Sequence, residues 1–305
     1  MNRASRSLLA QIFVSPDEPR LRAGWRIALQ SVLLALLLII LTIGVVIVGS
    51  LVGYDLSSLQ PLSPVDLIST AIAMTLSVWI ARRLLDRRSF VSLGLRLDHR
   101  APADVLAGFL IAGVIMGAIY ALEAGAGWLR FEGWAWQTIP AGKVVLGLLS
   151  GLLGFALVGF YEELLYRGYH LQNIRDGMGL RWGLLLSAVS FAVSHLSNPN
   201  VTWYSTLLGL LAAGYFLAYG WVRTRQLWLS IGVHIGWNFF EGHVFGFPVS
   251  GIDVVGLIRQ TPTGAAAVTG GPFGPEAGLI ILPALALGIG LIWLFTRGRL
   301  STADD

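Results

Sequence analysis

Two adjacent glutamates, Glu162 and Glu163, lie near the end of a long apolar run, and two later apolar runs each carry one histidine, His195 and His234. A charged side chain at the centre of a bilayer costs about 3 kcal/mol even on lenient insertion scales, so an ionisable group kept there usually has a function. Carboxylates and imidazoles are also the side chains that most often move protons in catalysis. The pattern therefore indicates chemistry carried out within a membrane.

The composition indicates an integral membrane protein. Apolar residues make up 55% of the 305 positions and charged residues only 12%, and the mean hydropathy is +0.71. These values exclude an ordinary soluble domain. The apolar runs approach the roughly 20 residues that a membrane-spanning helix needs, without the alternation of a barrel strand. We predict an all-α polytopic helical bundle with about eight transmembrane helices. The predicted spans are 27–51, 67–85, 105–124, 144–166, 182–197, 203–221, 227–245 and 277–295.

The distribution of positive charge predicts the orientation. All but three of the 21 Lys and Arg residues fall on one side of the predicted bundle, the exceptions being Arg130, Lys143 and Arg259. By the positive-inside rule both termini are cytoplasmic, in the cell (inner) membrane. The same bias accounts for the net charge of +4, so no nucleic-acid partner is needed to explain it. We expect the first apolar run to remain as a helix, because it is too long for the core of a signal peptide.

Three parts can be distinguished along the chain. They are 1–88, with two spans; 89–245, with the chemistry; and 246–305, with an outer loop, the last span and a cytoplasmic tail. We expect the tryptophan-rich outer connection 128–143 to rest among lipid headgroups, and 246–276, rich in Gly, Pro and Thr, to be a flexible loop or lid.

The fourth span places the two glutamates on different helix faces, since neighbouring residues point about 100° apart. Glu163 and Arg167 are four residues apart with the acid first, the favourable order for a helical ion pair. Glu163 is therefore expected to fix geometry, a role that a purely structural pair would also explain. Glu162 has no such local partner in the sequence, which makes it the candidate general base.

The fifth and seventh spans each stack two side chains at the same four-residue spacing. Phe191 gives His195 an aromatic wall, and His234 lies on one face with Asn238. An imidazole and a carboxamide can both donate hydrogen bonds to a developing oxyanion. Together with Glu162, these groups are what peptide hydrolysis requires.

Other small and titratable residues have structural explanations. Helix packing is expected at a row of glycines in the fourth span, Gly147, Gly151 and Gly154. The remaining histidines are expected at the interface (His243) or at the cytoplasmic surface (His99 and His170).

The three motifs, Glu162-Glu163-x-x-x-Arg167, Phe191-x-x-x-His195 and His234-x-x-x-Asn238, together resemble the ordered motifs of the CPBP family of intramembrane proteases. This family includes the type II CAAX prenyl endopeptidases and abortive-infection-type proteins. The resemblance covers about 90–245, and the combination of three motifs in order is specific where each alone is weak.

The resemblance implies an endopeptidase that acts on a membrane-tethered peptide or protein at the lipid bilayer. Glu162 would activate a water that His195 also holds, while His234 and Asn238 would stabilise the oxyanion. Glu163, Arg167 and Phe191 would support them. No cofactor is certain. Zinc bound by Glu162, His195 and His234 remains an alternative. Because the chain has no cysteine, any metal ion would need nitrogen or oxygen ligands of this kind.

Two other functions stay open at this point. A proton-coupled transporter would also place Glu and His within a helical bundle, but it commonly shows repeated halves, and no repeat is found. A non-catalytic scaffold or immunity protein could keep the same fold to bind a partner.

Overall fold

A computed structural model describes residues 8–15, 20–55 and 60–299. They form two compact units, each built from two separate stretches of chain: 1–95 with 161–186, and 96–160 with 187–305. Two of the three boundaries, at 160/161 and 186/187, fall inside helices, so neither unit coincides with a part expected from the sequence. The tripartite division of the chain remains a prediction about where its chemistry lies.

Helices dominate the described residues. In chain order they are α1 (Leu8–Phe13), α2 (Ala23–Val52), α3 (Pro64–Leu84), α4 (Ala101–Gly125), α5 (Ala141–Glu163), α6 (Leu171–Met178), α7 (Leu180–Ser194), α8 (Leu211–Thr224), α9 (Trp228–Asn238), α10 (Ala266–Thr269) and α11 (Ile281–Thr296). π-Helical turns connect α5 to α6 (Leu164–His170), precede α8 (Ser205–Leu210) and extend α9 (Phe239–Val244). Two strands, β1 (Leu129–Trp134) and β2 (Ile258–Pro262), complete the list.

Each predicted span overlaps a helix, but the helices differ in length. Five helical segments are long and apolar enough to cross a membrane: Ala23–Val52, Pro64–Leu84, Ala101–Gly125, Ala141–Met178 and Ser205–Thr224. α7 and α11 are apolar but have only 15 and 16 residues. The helix that contains Glu162 continues to Met178, twelve residues past its predicted end, because the π-helical turn bridges α5 and α6. The expected cytoplasmic termini include 1–7 and 300–305, which lie outside the described residues.

The first unit is held together by polar side chains. α2 buries little besides Arg26 and Gln30, which lie one turn apart, while its apolar side chains face outward as expected beside lipid. Arg26 and Arg82 both bind Asp86, at 2.8 and 2.7 Å. Gln30 lies 3.2 Å from the His170 imidazole. Polar groups in a membrane need internal partners, so these contacts fix which face of α2 points inward.

The second unit depends on close contact between α4 and α9. A Cβ at Gly232 of α9 would lie 2.2 Å from the Val105 carbonyl oxygen, and one at Gly108 would lie 2.4 Å from the Leu229 carbonyl oxygen. Only glycine lets two helix backbones approach this closely. The entire length of α9 is buried as a result, apart from its first residue. Backbone contacts therefore fix the position of the helix that bears His234 and Asn238.

The two outer connections pair with each other, which the sequence analysis did not predict. β1 and β2 form an antiparallel two-stranded sheet, with Leu129 opposite Pro262 and an irregularity beside Gly133. The segment after α9 is also not the flexible loop that its composition suggested, since Phe247 and Phe273 are buried. Its glycines serve compact turns. Gly270 has φ of 83°, where a Cβ would meet a carbonyl oxygen.

The glycines of α5 behave differently from one another. Gly147 has no neighbour within 4 Å of a built Cβ, so the expected packing role is wrong there. Gly151 does pack, against the imidazole of His243 rather than against a helix backbone. Gly159, which the sequence analysis did not single out, approaches the backbone of α9, where its Cβ would lie 3.2 Å from the Ile235 nitrogen.

Substitution of Gly232 by alanine should destabilise the protein by about 1–3 kcal/mol or more, because the added methyl group overlaps the α4 backbone. The matched control is Gly147→Ala, which adds the same methyl group to a helix where nothing lies within 4 Å. Thermal unfolding in detergent should show a clear fall in Tm for the first variant and no fall for the control. Equal Tm values would contradict the close helix contact.

Candidate active site

Glu163 and Arg167 form a fully buried ion pair in the first unit. The Arg167 Nη1 atom donates to Glu163 Oε1 at 2.8 Å, and both side chains have no solvent exposure. The pair spans the junction of α5 and the π-helical turn, so the four-residue contact survives the change in helix type. A buried pair of this kind fixes local geometry, because separating the charges would leave one uncompensated.

Glu162 lies one position earlier on α5 and differs from Glu163 in its surroundings. Glu163 is completely buried, while Glu162 is partly exposed. The two carboxylates therefore have different environments, as expected from their angular separation on the helix. Tyr161, on the other side of Glu162, is buried.

His195 lies in a turn just past the C-terminus of α7. The sequence had predicted it to lie within the helix. Its Nδ1 atom is 2.8 Å from the Phe191 carbonyl oxygen, which holds it on the same face as a helical residue. A carbonyl can only accept, so this contact favours a proton on the Nδ1 atom. Ser194 also donates to the Phe191 carbonyl, at 2.8 Å.

The Phe191 ring contacts both histidines. Its centroid lies 4.7 Å from that of His195 and 6.0 Å from that of His234, the latter nearly perpendicular to it. His234 is buried on α9, and Asn238 follows one turn later, also buried. The second unit therefore brings together both imidazoles, their aromatic partner and the helix that carries the carboxamide.

Glu276 is a further acidic residue close to the histidines, and sequence reasoning missed it. It lies in the short turn Pro275–Ala277 before α11 and is buried. Trp237 donates to Glu276 Oε1 at 3.0 Å, and Ser250 donates to Oε2 at 2.6 Å. Burial raises the pKa of its carboxyl group, while the Ser250 hydrogen bond and the imidazoles of His195 and His234 act in the opposite direction. No spacing pattern marks this residue, since it stands alone in a Gly- and Pro-rich segment.

Two other histidines are buried, contrary to expectation. His170, expected at the cytoplasmic surface, is 8% exposed and lies beside Gln30 in the first unit. His243, expected at the interface, has its Nδ1 atom 2.9 Å from the Val255 carbonyl oxygen and its ring against Gly151. The tertiary structure therefore encloses both imidazole rings among neighbouring side chains and backbone atoms.

The described residues do not include a ready metal centre. Among them, no group of three or more His, Asp or Glu side chains is arranged to hold a metal ion. Glu162 belongs to the first unit, whereas His195 and His234 belong to the second. Zinc held by Glu162, His195 and His234 therefore stays a prediction from the sequence.

Residues 144–240 match the family model described as type II CAAX prenyl endopeptidase Rce1-like. This region is similar to the Rce1-like family. It contains all three motifs from which the resemblance was recognised, including both glutamates and both histidines. The comparisons with curated proteins and with solved structures gave no match. The family assignment made from the sequence is thus confirmed over about a third of the chain.

Replacing Arg167 by methionine should destabilise the Rce1-like region by about 3–5 kcal/mol, because Glu163 would remain buried without its counter-ion. The double variant Glu163→Gln, Arg167→Met should recover much of that loss, since it removes both charges. Unfolding in detergent measures the difference.

The control is Arg130→Met, which removes the exposed partner of Glu132. This change should leave stability nearly unaltered, because exposed ion pairs contribute little. A single variant Arg167→Met as stable as the control would show that the buried pair is not needed.

Proposed function

We propose that the protein is an intramembrane endopeptidase that hydrolyses a peptide bond of a membrane-associated substrate. Glu162 is the general base, His195 holds the attacking water with it, and His234 and Asn238 stabilise the oxyanion. The observation that carries this proposal is the pairing of His195 and His234 on the Phe191 ring, inside the region that matches a protease family.

The proposal requires Glu162 to act next to the histidines. Gly159 packs against the α9 backbone at Ile235, the neighbour of His234. Glu162 follows Gly159 by three residues on α5, which places it on the same helix face and about 4.5 Å further along the axis.

The proposed reaction needs no group beyond these side chains and a water. Glu162 takes a proton from the water as its oxygen bonds to the scissile carbonyl carbon, and the carbonyl oxygen becomes negatively charged. His234 and Asn238 donate hydrogen bonds to that oxygen. Collapse of the tetrahedral intermediate breaks the C–N bond, and the proton held by Glu162 passes to the leaving amine. Since the described residues show no preassembled metal site, no step is assigned to zinc.

Glu163, Arg167 and Phe191 support the reacting groups. The buried ion pair fixes the helix segment on which Glu162 stands. The Phe191 carbonyl sets the His195 tautomer, and its ring positions both imidazoles. Second-layer contacts of this kind commonly decide whether a catalytic group is correctly placed.

The family match and the sequence support a proposed substrate class and a proposed topology. The family is named for prenyl endopeptidases, which indicates a peptide tethered to the lipid bilayer as the substrate. We infer eight crossings with both termini in the cytoplasm of the cell (inner) membrane, because the apolar helices alternate with strongly basic connections on one side.

Glu162→Gln should lower cleavage by about 10²-fold or more, because the amide keeps the shape of the side chain but cannot accept the proton. The measurement is hydrolysis of fluorogenic membrane-tethered peptides by purified protein, with Tm measured on the same samples. Cleavage by the wild type should persist after treatment with a chelator.

The matched control is Glu132→Gln, an exposed carboxylate on β1, which should cleave like the wild type. Undiminished cleavage by Glu162→Gln would overturn the assignment of the base. Loss on chelation with recovery on adding zinc would replace the metal-free reaction by a metal-dependent one.

Single cysteines can test the proposed topology, because the chain has none of its own. Leu97→Cys lies on an exposed position of the proposed cytoplasmic side, and Asp253→Cys on an exposed position of the outer segment. A membrane-impermeant maleimide should label only the second variant in intact cells and both after permeabilisation. Labelling of Leu97→Cys in intact cells would reverse the orientation.

A further inference from the structure

Glu276 connects segments of the second unit that are far apart in the sequence. Its backbone carbonyl oxygen lies against Gly209, where a Cβ would come within 1.8 Å, so the turn is pressed onto the chain before α8. Its side chain accepts hydrogen bonds from Trp237 on α9 and from Ser250 in the segment after it. One buried carboxyl group therefore links three parts of the fold.

The link extends to the elements that carry both histidines. Trp237 stands between His234 and Asn238 on α9, so its hydrogen bond holds that helix. The Ser250 carbonyl oxygen accepts a hydrogen bond from the Asn198 side chain, at 2.9 Å, and Asn198 lies three residues after His195. Glu276 thus reaches the His234 helix directly and the His195 turn through Ser250.

Close packing keeps this carboxyl group in place. Gly274 has φ of 106°, and a Cβ there would lie 2.2 Å from the Pro248 carbonyl oxygen and 3.3 Å from a carboxylate oxygen of Glu241. The turn therefore needs glycine to reach its position. Glu276 also interacts electrostatically with the imidazoles of His195 and His234. Such a group is well placed to control where the imidazoles stand.

We propose that Glu276 is a positioning residue for the catalytic histidines, acting through its hydrogen bonds to Trp237 and Ser250. The bonds hold the turn after α7 and the C-terminal end of α9 at a fixed separation, so that His195 and His234 face the same reacting group. This inference rests on the proposed peptidase function for its catalytic consequence, while its structural part concerns the histidines alone.

The two substitutions Glu276→Gln and Glu276→Ala compare a side chain that can form both hydrogen bonds with one that can form neither. Glutamine can accept from the Trp237 N–H group and donate to the Ser250 oxygen, whereas alanine can do neither. Glu276→Ala should lower kcat by about tenfold or more with KM changed less than about twofold, as expected when a supporting hydrogen bond is lost. Glu276→Gln should retain most of kcat, and the exposed Glu132→Gln should match the wild type.

Trp237→Phe tests the same link from its other end and serves if Glu276→Ala does not fold. It removes the indole N–H group and keeps an aromatic ring beside Phe216. By itself Trp237→Phe should lower kcat. When Glu276→Ala folds, adding Trp237→Phe to it should cost little more than Glu276→Ala alone, because the alanine has already removed the hydrogen bond to Trp237. Additive losses in kcat would overturn the proposed link.

Nitrogen NMR of ¹⁵N-histidine-labelled protein gives a reading that does not depend on cleavage. The chain has five histidines, and single His→Gln variants assign the signals. In Glu276→Ala the signals of His195 and His234 should broaden or split, while that of His99 stays unchanged. In Glu276→Gln they should stay single.

The combined outcomes distinguish the two proposals. Wild-type cleavage with normal kcat and unchanged histidine signals in Glu276→Ala would overturn the positioning role and leave the peptidase intact. Absence of wild-type cleavage would overturn the peptidase, and the histidine signals would still decide whether Glu276 positions the imidazoles.

Discussion

Backbone contact between α4 and α9 is the constraint on which the second unit depends. Gly108 and Gly232 remove the side chains that would separate the two helices, so main-chain atoms meet directly. In a membrane this packing must come from van der Waals contact, because lipid offers apolar side chains no less favourable an environment than the protein does. This contact fixes the helix that bears His234 and Asn238.

Polar contacts stabilise the first unit, as burial of apolar side chains stabilises a soluble protein. In the first unit, Arg26 and Arg82 share the carboxylate of Asp86, and Glu163 binds Arg167. An isolated charge in such surroundings would be very costly, so these pairs fix register as well as stability. The same cost of an unpartnered polar group explains why α2 turns its few polar side chains inward and its apolar ones outward.

The segment 246–276 has a structural role that its composition did not indicate. A stretch rich in glycine and proline usually indicates a mobile loop, but here glycine allows tight turns that bury Phe273 and Glu276. The segment also supplies β2, which pairs with the tryptophan-rich connection. Pairing between distant segments has no local signal, because each strand is short and lies in a region without clear alternation.

The sequence by itself determined the membrane character, the helical class, the family and the four-residue spacings that place Glu163 beside Arg167 and Phe191 beside His195. These are local properties, set by hydropathy and helix geometry. Only the tertiary structure decided that Phe191 also touches His234, that no described residue packs against Gly147, and that Glu276 reaches Trp237. Such contacts join residues tens to hundreds of positions apart. They depend on how closely particular helices and turns approach, which no periodicity in the chain encodes.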